Sequence, residues 1–325
     1  MTHKIIFGLL IGVLLVSKTL QAQLRFQPFT SLEANVGISR LHSDLSPLSS
    51  LTQGYRWSGV VGAYRHLNPW LALGGSFDWT RVGADDFHSS NPETFFRNLH
   101  VRNDVKSINV SGKLYLLPFT SAIGRASGTW HPYVSAGIGY FFHNPKARSP
   151  LPERTWTELQ PLRTEGQGFV PDAEEPYKLR GFQVPLGLGL ERLEGRWLFG
   201  ISAQVVFTGT DYLDDVKGNY YNLSGTYSQP LSDLQKSMAQ RHKEFVSVRN
   251  RRDRIPGIRR YAEETFGFSP GSPDSDVIMV AESIDFGTNP TNPLLTLRGK
   301  VAGNDFYGTI RVKIVYTLRD GIRCP

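Results

Sequence analysis

The side chains that could act in catalysis are histidines, and they lie outside any recognisable catalytic motif. The sequence contains no G-x-S-x-G elbow, no H-E-x-x-H and no paired Cys and His at metal-ligand spacing. Four histidines lie near predicted strand ends or in loops, where a surface or interfacial histidine is more common than a general base: His42, His88, His131 and His143. We therefore predict that the chain is not an enzyme, has no catalytic, cofactor-binding or metal-binding residues and uses no cofactor.

An acidic segment at 210–216, Thr-Asp-Tyr-Leu-Asp-Asp-Val, is a second candidate for chemistry. Its likeness to a calcium-binding loop is faint, because regularly alternating oxygen ligands and the Gly of the sharp turn are missing. We interpret the segment as a surface loop. Cys324, beside the terminal Pro325, has no second Cys for an internal disulfide and no neighbouring His, so we interpret it as an ordinary tail residue.

The elements that would position these residues are strands. Eight segments alternate between apolar and polar residues with a period of two, which indicates strands with one face in an apolar environment. One face is aliphatic or aromatic, and the other is Gly, Ser and scattered charge, a poor composition for the core of a soluble sandwich. The segments lie at about 31–38, 55–66, 71–79, 107–116, 133–142, 182–191, 197–208 and 309–318.

Two further patterns favour a membrane barrel over a soluble sandwich. The connections run long, short, long, moderate, long, short and very long, as expected for alternating periplasmic turns and extracellular loops. Aromatic residues cluster at strand ends, as interfacial girdles require: Trp57, Trp70, Trp79, Trp130, Tyr140, Phe142, Trp197, Phe207 and Tyr316. We predict an all-β fold, an eight-stranded antiparallel transmembrane up-and-down β-barrel with long extracellular loops.

The first residues have the pattern of a secretory signal peptide. Lys4 supplies the positive region, 5–16 the apolar region, and a short polar region ends at Ala22, so the mature chain is predicted to begin at Gln23. The apolar run is shorter than the roughly 20 residues of a helical membrane anchor. No Cys follows it, which disfavours a lipoprotein.

The chain therefore divides into a signal peptide, 1–22, and a barrel domain in the cell outer membrane, 23–325. A long loop insertion occupies 213–302, before the last strand. The formal charge of +7 falls to +5 when Lys4 and Lys18 leave with the signal. Because an exported protein has little access to nucleic acid, we predict no nucleic-acid partner, and we expect no small-molecule substrate.

Charged residues on the polar strand faces would lie inside the barrel: Glu33, Asp78, Lys113, Glu191, Arg311 and Lys313. The first and last strands are neighbours when the barrel closes, so Glu33 is predicted to pair with Arg311 or Lys313. Unpaired charges are costly to bury. A structural plug of ion pairs is the preferred interpretation, and a proton or ion path is the alternative.

The longest loop carries a predicted helix at 232–248. Ser232 and Gln235 have the spacing of a capping box, and Leu234, Met238, Phe245 and Val248 would share one face. The densely basic 249–260 could meet lipopolysaccharide phosphates or an acidic partner, although a solvated surface helix is the ordinary explanation.

Several loop strings occur in an order that resembles the PorG-like outer-membrane β-barrel family of Bacteroidetes, which is associated with the type IX secretion system. The resemblance covers roughly 29–318. The chain departs from the family pattern in its long loop at 223–297 and in a tail that continues past Leu318. The strings lie at 97–99, 143–147, 156–168, 210–216, 220, 298–300 and 304–307.

The resemblance implies a non-enzymatic component or anchor of a type IX secretion-like assembly. Its partners would be the periplasmic ring built by the lipoprotein PorK and its partner PorN, contacted chiefly through 118–130. The alternative is a free-standing structural or adhesive barrel that binds lipopolysaccharide or surfaces through its long loops. A barrel enzyme acting on lipid is a third hypothesis. Outer-membrane lipid and lipopolysaccharide are expected partners.

Overall fold

The structure, a computed structural model, describes residues 26–45, 54–119, 128–170, 173–225, 227, 230–287, 297–299 and 303–318. The predicted signal peptide and Cys324 therefore lie outside the described residues. Eight long strands account for most of the regular structure: β1 (Phe29–His42), β2 (Arg56–His66), β3 (Leu71–Asp85), β4 (His100–Tyr115), β5 (Trp130–Phe142), β8 (Arg180–Glu194), β9 (Trp197–Thr208) and β10 (Phe306–Leu318). Two short strands, β6 (Pro145–Arg148) and β7 (Trp156–Glu158), form a hairpin, and β6 pairs with β4 at Arg102 and Asn103.

The eight long strands form one closed antiparallel barrel. Each pairs with the strands before and after it, and β1 pairs with β10 from Thr30 opposite Leu318 to His42 opposite Phe306. The predicted fold is confirmed, and all eight predicted segments coincide with barrel strands. Several strands, β4 above all, continue further towards the long loops than the alternation indicated.

The outer wall of the barrel carries a continuous apolar belt. Phe182 is 75% exposed and Ile138 70% exposed, and such a continuous surface is stable only against lipid. Tryptophans mark both edges of this belt. The rings of Trp57 and Trp79 lie 5.0 Å apart at the long-loop end, and Trp197 lies 4.8 Å from Tyr316 at the other end.

The barrel interior is narrow, and glycine makes room for larger inward-facing side chains. A Cβ at Gly189 would lie 2.4 Å from the ring of Tyr133, and one at Gly139 would lie 1.9 Å from Oδ1 of Asn109. Both distances are well inside van der Waals contact. The Gly and Ser content of the polar faces thus reflects the small space that eight strands enclose.

The turns and loops segregate to opposite ends of the barrel. In the tight β2–β3 turn, Oδ1 of Asn68 accepts hydrogen bonds at 2.8 Å from the backbone N–H groups of Trp70 and Leu71. The β8–β9 turn contains Gly195 at φ +64, a conformation that favours glycine. The β4–β5 connection, 116–129, lies at this same end, which we call the turn end. The other connections lie at the opposite end, which we call the cap end.

Helices occur in the cap-end loops: α1 (Pro92–Arg97), α2 (Asp233–Ala239), α3 (Ile255–Phe266) and α4 (Asp274–Ser283). None of the described helices is long and apolar enough to cross a membrane. The helix predicted at 232–248 begins as expected, with the Ser232 and Gln235 capping box formed. It ends at Ala239, so the prediction that Phe245 and Val248 share its face was wrong.

The basic segment 249–260 is also not one surface helix. Residues 249–254 are irregular and only the remainder belongs to α3. Arg254 is fully buried and donates to the carbonyl oxygens of Phe95 and Phe96 at 2.9 and 3.1 Å, which ties this segment to α1. The segment is therefore partly buried against other loops and partly exposed.

Candidate functional site

Four charged side chains fill the middle of the barrel. Nζ of Lys313 lies 2.6 Å from Glu191 and 3.1 Å from Glu33, and Nζ of Lys113 lies 2.5 Å from Glu33 and 3.7 Å from Glu191. The predicted pairing of Glu33 across the closure is thus confirmed for Lys313. Two lysines and two carboxylates alternate, so each buried charge has two neighbours of opposite sign.

Arg311 lies one layer closer to the cap and pairs with Asp78, at 3.6 Å, instead of with Glu33. It also donates to Oγ of Ser58 at 2.9 Å and to Oε1 of Gln204 at 3.0 Å. The cavity between the two charged layers has a volume of about 40 Å³, room for a few water molecules at most. Within the described residues, the interior is filled by side chains, as the ion-pair plug requires.

Aromatic rings seal the turn end of the interior. His66 stacks on Phe29 at 4.1 Å, and His131 stacks on Phe119 at 4.2 Å. Tyr115 lies against Phe119 at 5.2 Å. His131 is 1% exposed, so the interpretation of this residue as a surface or interfacial histidine was wrong: the strand points it inward, where it packs between rings.

At the cap end, the barrel interior continues without a break into the core of the loops. Strand residues Leu41, Val105 and Tyr307 pack in one buried cluster with loop residues Leu213 and Met238. A second core joins the helices: Phe96 of α1 stacks on Tyr261 of α3 at 4.3 Å. We call the folded body made of residues 86–99, 143–178, 210–287 and 297–305, within the described residues, the cap.

The acidic segment 210–216 lies at the centre of the cap. Leu213, Asp214 and Asp215 are at most 1% exposed, so the surface-loop interpretation was wrong. The carboxylates can be buried because they accept hydrogen bonds, some of them from groups distant in sequence. Asp214 accepts hydrogen bonds from the backbone N–H groups of Leu45 and Val216 at 3.1 and 3.0 Å.

Arg298 provides the positive charge that partners this segment. It is 2% exposed and donates to the carbonyl oxygen of Asp215 at 2.6 Å, with its guanidinium 3.5 Å from the Asp215 carboxylate and 3.4 Å from that of Glu165. Tyr177 donates its hydroxyl to Asp215, and Thr164 donates to the same carboxylate. Burial raises the pKa of Asp215 and of Glu165, and the Arg298 charge acts against that rise.

A second buried ion pair joins two loops within the cap. Arg97 donates to both oxygens of Asp86, at 2.8 and 2.9 Å, and to the carbonyl oxygen of Arg298 at 2.6 Å. Asp86 also accepts from the backbone N–H of Leu99 at 2.9 Å. Asn98, in the left-handed region at φ 61, donates to the carbonyl oxygen of Arg241 at 3.0 Å. Each member of the Arg-Asn-Leu string at 97–99 therefore has a defined partner.

Carboxylates also cluster where β10 enters the barrel. Asp305 accepts from the backbone N–H of Leu213 at 2.7 Å, and its pKa is raised by burial and by the nearby Asp214 charge. Burial, followed by the charge of Asp44, raises the pKa of Asp211 to about 7. Among the described residues, no group of three or more His, Cys, Asp and Glu side chains has the arrangement of a metal site.

The remaining histidines do not form a catalytic arrangement. His42 stacks on Phe306 at 4.8 Å and His88 is exposed. His143 is 4% exposed, so its interpretation as a surface or interfacial histidine was also wrong. Its ring hydrogen-bonds to the side-chain amide of Asn103 at 3.2 Å and to the carbonyl oxygen of Lys178 at 3.1 Å. Burial lowers the pKa of His143 to about 4, so it is neutral at pH 7. None of the hydrogen bonds between described residues joins a histidine to a carboxylate.

The buried network of the cap is what sequence reasoning missed. A signal was present: Tyr212, Leu213 and Val216 alternate with the acidic residues of 210–216, and apolar residues so placed indicate that the carboxylates between them are buried too. The loop strings at 97–99, 143–147, 156–168, 210–216, 298–300 and 304–307 supply most of this network. They include Arg97, Asn98, His143, Thr164, Glu165, Asp214, Asp215, Arg298 and Asp305.

No protein-family model matches the sequence, and no curated protein matches it. Among solved structures, the chain is similar to Neisserial surface protein A (NspA), with 7% identity and a TM-score of 0.36 over 90% of this chain and 99% of that one. It is also similar to Ail, the attachment invasion locus protein of Yersinia pestis, in complex with the heparin analogue sucrose octasulfate. That likeness has 10% identity and a TM-score of 0.35 over 90% of this chain and 100% of the other. The eight-stranded barrel is established by the strand pairing within this chain.

Proposed function

We propose that this chain is a non-enzymatic, non-conducting anchor in a bacterial outer membrane that displays a rigid cap on the cell surface. The observation that carries the proposal is the single buried cluster shared by strand residues and cap residues. A loop that only closes a barrel needs no such core, whereas a displayed surface of fixed shape does.

Other features of the molecule agree with this role. The interior is blocked by two layers of paired charges and by the aromatic seal at the turn end. Among the described residues, Oγ of Ser31 lies 3.2 Å from Nε2 of His66. Both residues are at most 2% exposed, and the His66 ring is stacked on Phe29, so this pair is closed off from a substrate. What the molecule presents to the outside is thus a shaped surface, suited to structural or adhesive contact.

Epitope insertion on intact cells tests the display. A tag inserted after Gly271, in the exposed turn between α3 and α4, should bind antibody on intact cells. The matched control is a tag after Gly195, in the tight β8–β9 turn, which should bind only after the outer membrane is permeabilised. The reverse pattern contradicts the proposed orientation. Stable conductance steps from the purified chain in a planar bilayer contradict a blocked interior.

A second candidate is a role as component or anchor of a type IX secretion-like assembly. It is favoured because the residues of the PorG-like strings, which are far apart in sequence, lie together in one buried network. A chance likeness at unrelated positions would not bring them together. In this role the contacts with the PorK and PorN ring would be made by the turn end, chiefly at 118–130, of which 120–127 lie outside the described residues.

Co-purification tests this second role. Tagged chain extracted from its native membrane should retain periplasmic ring proteins, and replacing 120–127 with a Gly-Ser linker should release them while the cap stays on the surface. Secretion that continues normally in a deletion strain, with no ring protein recovered, rejects the role and leaves the display proposal intact.

A further inference from the structure

The outer wall of the barrel changes character abruptly above the aromatic girdle on β3 and β4. On β4, outward-facing Ile108 and Val110, each 64% exposed, give way to Lys106, Asp104 and Arg102. Lys106 lies opposite Trp79, and its Nζ is 5.2 Å from the centre of that ring. Lys106, the next outward-facing residue after Ile108, is thus the first positive charge beyond the apolar belt on β4.

Two arginines meet on one tryptophan higher on the same wall. The guanidinium of Arg102 lies 4.0 Å from the ring centre of Trp156, and that of Arg148 lies 4.8 Å from the same ring. The β6–β7 hairpin, which pairs with β4, positions both Trp156 and Arg148. The hairpin therefore builds a rigid platform that holds two guanidinium groups together.

These cations lack carboxylate partners within the described residues, while their neighbours have them. Arg81 pairs with Asp104 at 2.6 Å and Lys146 with Glu158 at 2.9 Å. No described carboxylate lies within ion-pair distance of Arg102, Arg148 or Lys106. Like charges held close repel each other, so a fixed cluster of this kind favours an anion that can contact several of its members.

The height of the cluster selects the kind of anion. Arg102 lies four residues beyond Lys106, about 13 Å along the strand and roughly 10 Å in height once the strand is tilted. The polar headgroup region of a bilayer is roughly 5–8 Å deep on each side. The cations therefore span the layer in which lipid phosphates lie, directly above side chains that contact acyl chains.

We propose that Arg102, Arg148 and Lys106 form a binding site for the phosphorylated headgroup of an outer-leaflet lipid. Planar guanidinium groups bind phosphate oxygens through paired hydrogen bonds, and the lysine adds a point charge nearer the membrane. The apolar wall below, with Ile108 and Phe142, would receive the acyl chains of the same molecule. The proposal rests on the proposed orientation, with the cap end facing outward, and not on what the cap surface binds.

Lipid retention by the full chain tests the site. The chain is purified in nanodiscs that contain a trace of diphosphorylated lipid A, and bound lipid is measured by native mass spectrometry and by titration. The Arg102→Gln/Arg148→Gln variant should bind phosphorylated lipid A roughly tenfold to a hundredfold more weakly than the unmodified chain. Dephosphorylated lipid A should bind the two proteins equally.

Arg192→Gln is the matched control, because Arg192 also faces outward and lies 5.6 Å from a tryptophan ring, that of Trp130, but at the turn end and paired with Glu194 at 2.7 Å. It should leave lipid A binding unchanged. Heat-modifiable migration in a gel verifies that each variant is folded.

Three results would overturn the proposal. One is equal binding of phosphorylated lipid A by the folded double variant and the unmodified chain. Another is equal weakening by Arg192→Gln. The third is displacement of lipid A by millimolar inorganic phosphate, which would show a site for a free anion and not for a lipid.

Discussion

Replacing Arg298 with methionine should open the cap while the barrel remains folded. Methionine keeps much of the side-chain volume but leaves the Asp215 and Glu165 carboxylates, both nearly fully buried, without their cation. Glu165 retains two backbone donors, the N–H groups of Lys217 and Gly218 at 2.9 and 3.1 Å. Asp215 likewise retains two donors, the hydroxyls of Thr164 and Tyr177. Both carboxylates therefore keep hydrogen bonds but lose their cation, and the cost is worked out for Asp215, which is 0% exposed.

The magnitude follows from two bounds. Breaking a buried ion pair by removing one partner costs about 3–5 kcal/mol. The carboxyl group can instead take up a proton, and holding a group with an ordinary pKa of 3.8 protonated at pH 7 costs about 4 kcal/mol at roughly 1.4 kcal/mol per pH unit. We expect a loss of about 3–4 kcal/mol in the free energy of cap opening, and thus a rise of several hundredfold in the opened fraction.

The same reasoning predicts a pH dependence that a simple packing defect lacks. At pH 5, protonating Asp215 costs only about 1.6 kcal/mol. The loss in the free energy of cap opening should therefore be about half as large at pH 5 as at pH 7. The second substitution Asp215→Asn should restore part of the stability at pH 7, since an amide can still accept from Thr164 and Tyr177.

The assay is limited proteolysis of the purified barrel, in which the rate of cap cleavage at low protease reports the opened fraction. Heat-modifiable migration monitors the barrel separately. Arg260→Met, which removes an exposed ion pair with Glu264, is the control. Cleavage of Arg298→Met at the rate of the unmodified chain, or a defect that is the same at pH 5 and pH 7, refutes the reasoning.

Four further outcomes are expected. Lys313→Met should lower the free energy of unfolding in urea by about 3 kcal/mol, because Glu33 and Glu191 are left with Lys113 alone, and Glu191→Gln should restore part of it. Since the pKa of Asp305 is raised in the folded cap, its contribution is fully present below pH 3.8 and is lost as pH rises towards its folded pKa. The cap should accordingly resist proteolysis better at pH 5 than at pH 8, and Asp305→Asn should reduce that difference. Arg260→Ala, in a pair that is more than half exposed on both sides, should change stability by less than about 0.5 kcal/mol. The mature chain should begin at Gln23 in N-terminal sequencing.

Three of these outcomes have a result that would directly oppose them. A Lys313 variant as stable as the unmodified chain would mean that the interior ion pairs add nothing to barrel stability. Faster cap cleavage at pH 5 than at pH 8 would show that groups other than Asp305 dominate the titration. An unprocessed N-terminus would favour the helical-anchor alternative.

The barrel could be predicted from sequence because its rules are local. Lipid on one side and a narrow interior on the other impose a period of two on every strand, so residues such as Val36 and Ile310 are informative without knowledge of their neighbours. Closure then makes the first and last strands adjacent, which is why the Glu33–Lys313 contact could be expected. The capping box at Ser232 is local in the same sense, and it formed as predicted.

The cap could not be predicted in this way because its determinants are distant in sequence. Asp215 is acceptable in the interior only because Thr164 and Tyr177 come from the β5–β8 loop and Arg298 comes from 83 residues further along its own loop. The helix that starts at Ser232 ends at Ala239, and beyond it Gln240 donates to the carbonyl oxygens of Tyr221 and Phe286. Tertiary contacts of this kind override the helical pattern that continued to Val248.

The long sequence separations within the cap impose an order on assembly. Arg97, in the β3–β4 loop, bonds to the carbonyl oxygen of Arg298, in the β9–β10 loop, across 201 residues. The cap therefore reaches its final fold only when loops from both halves of the chain lie at the same end of the barrel. Once folded, the cap must unfold again before the barrel can be withdrawn through the membrane. The stability of the cap therefore sets a kinetic barrier that keeps the barrel in place.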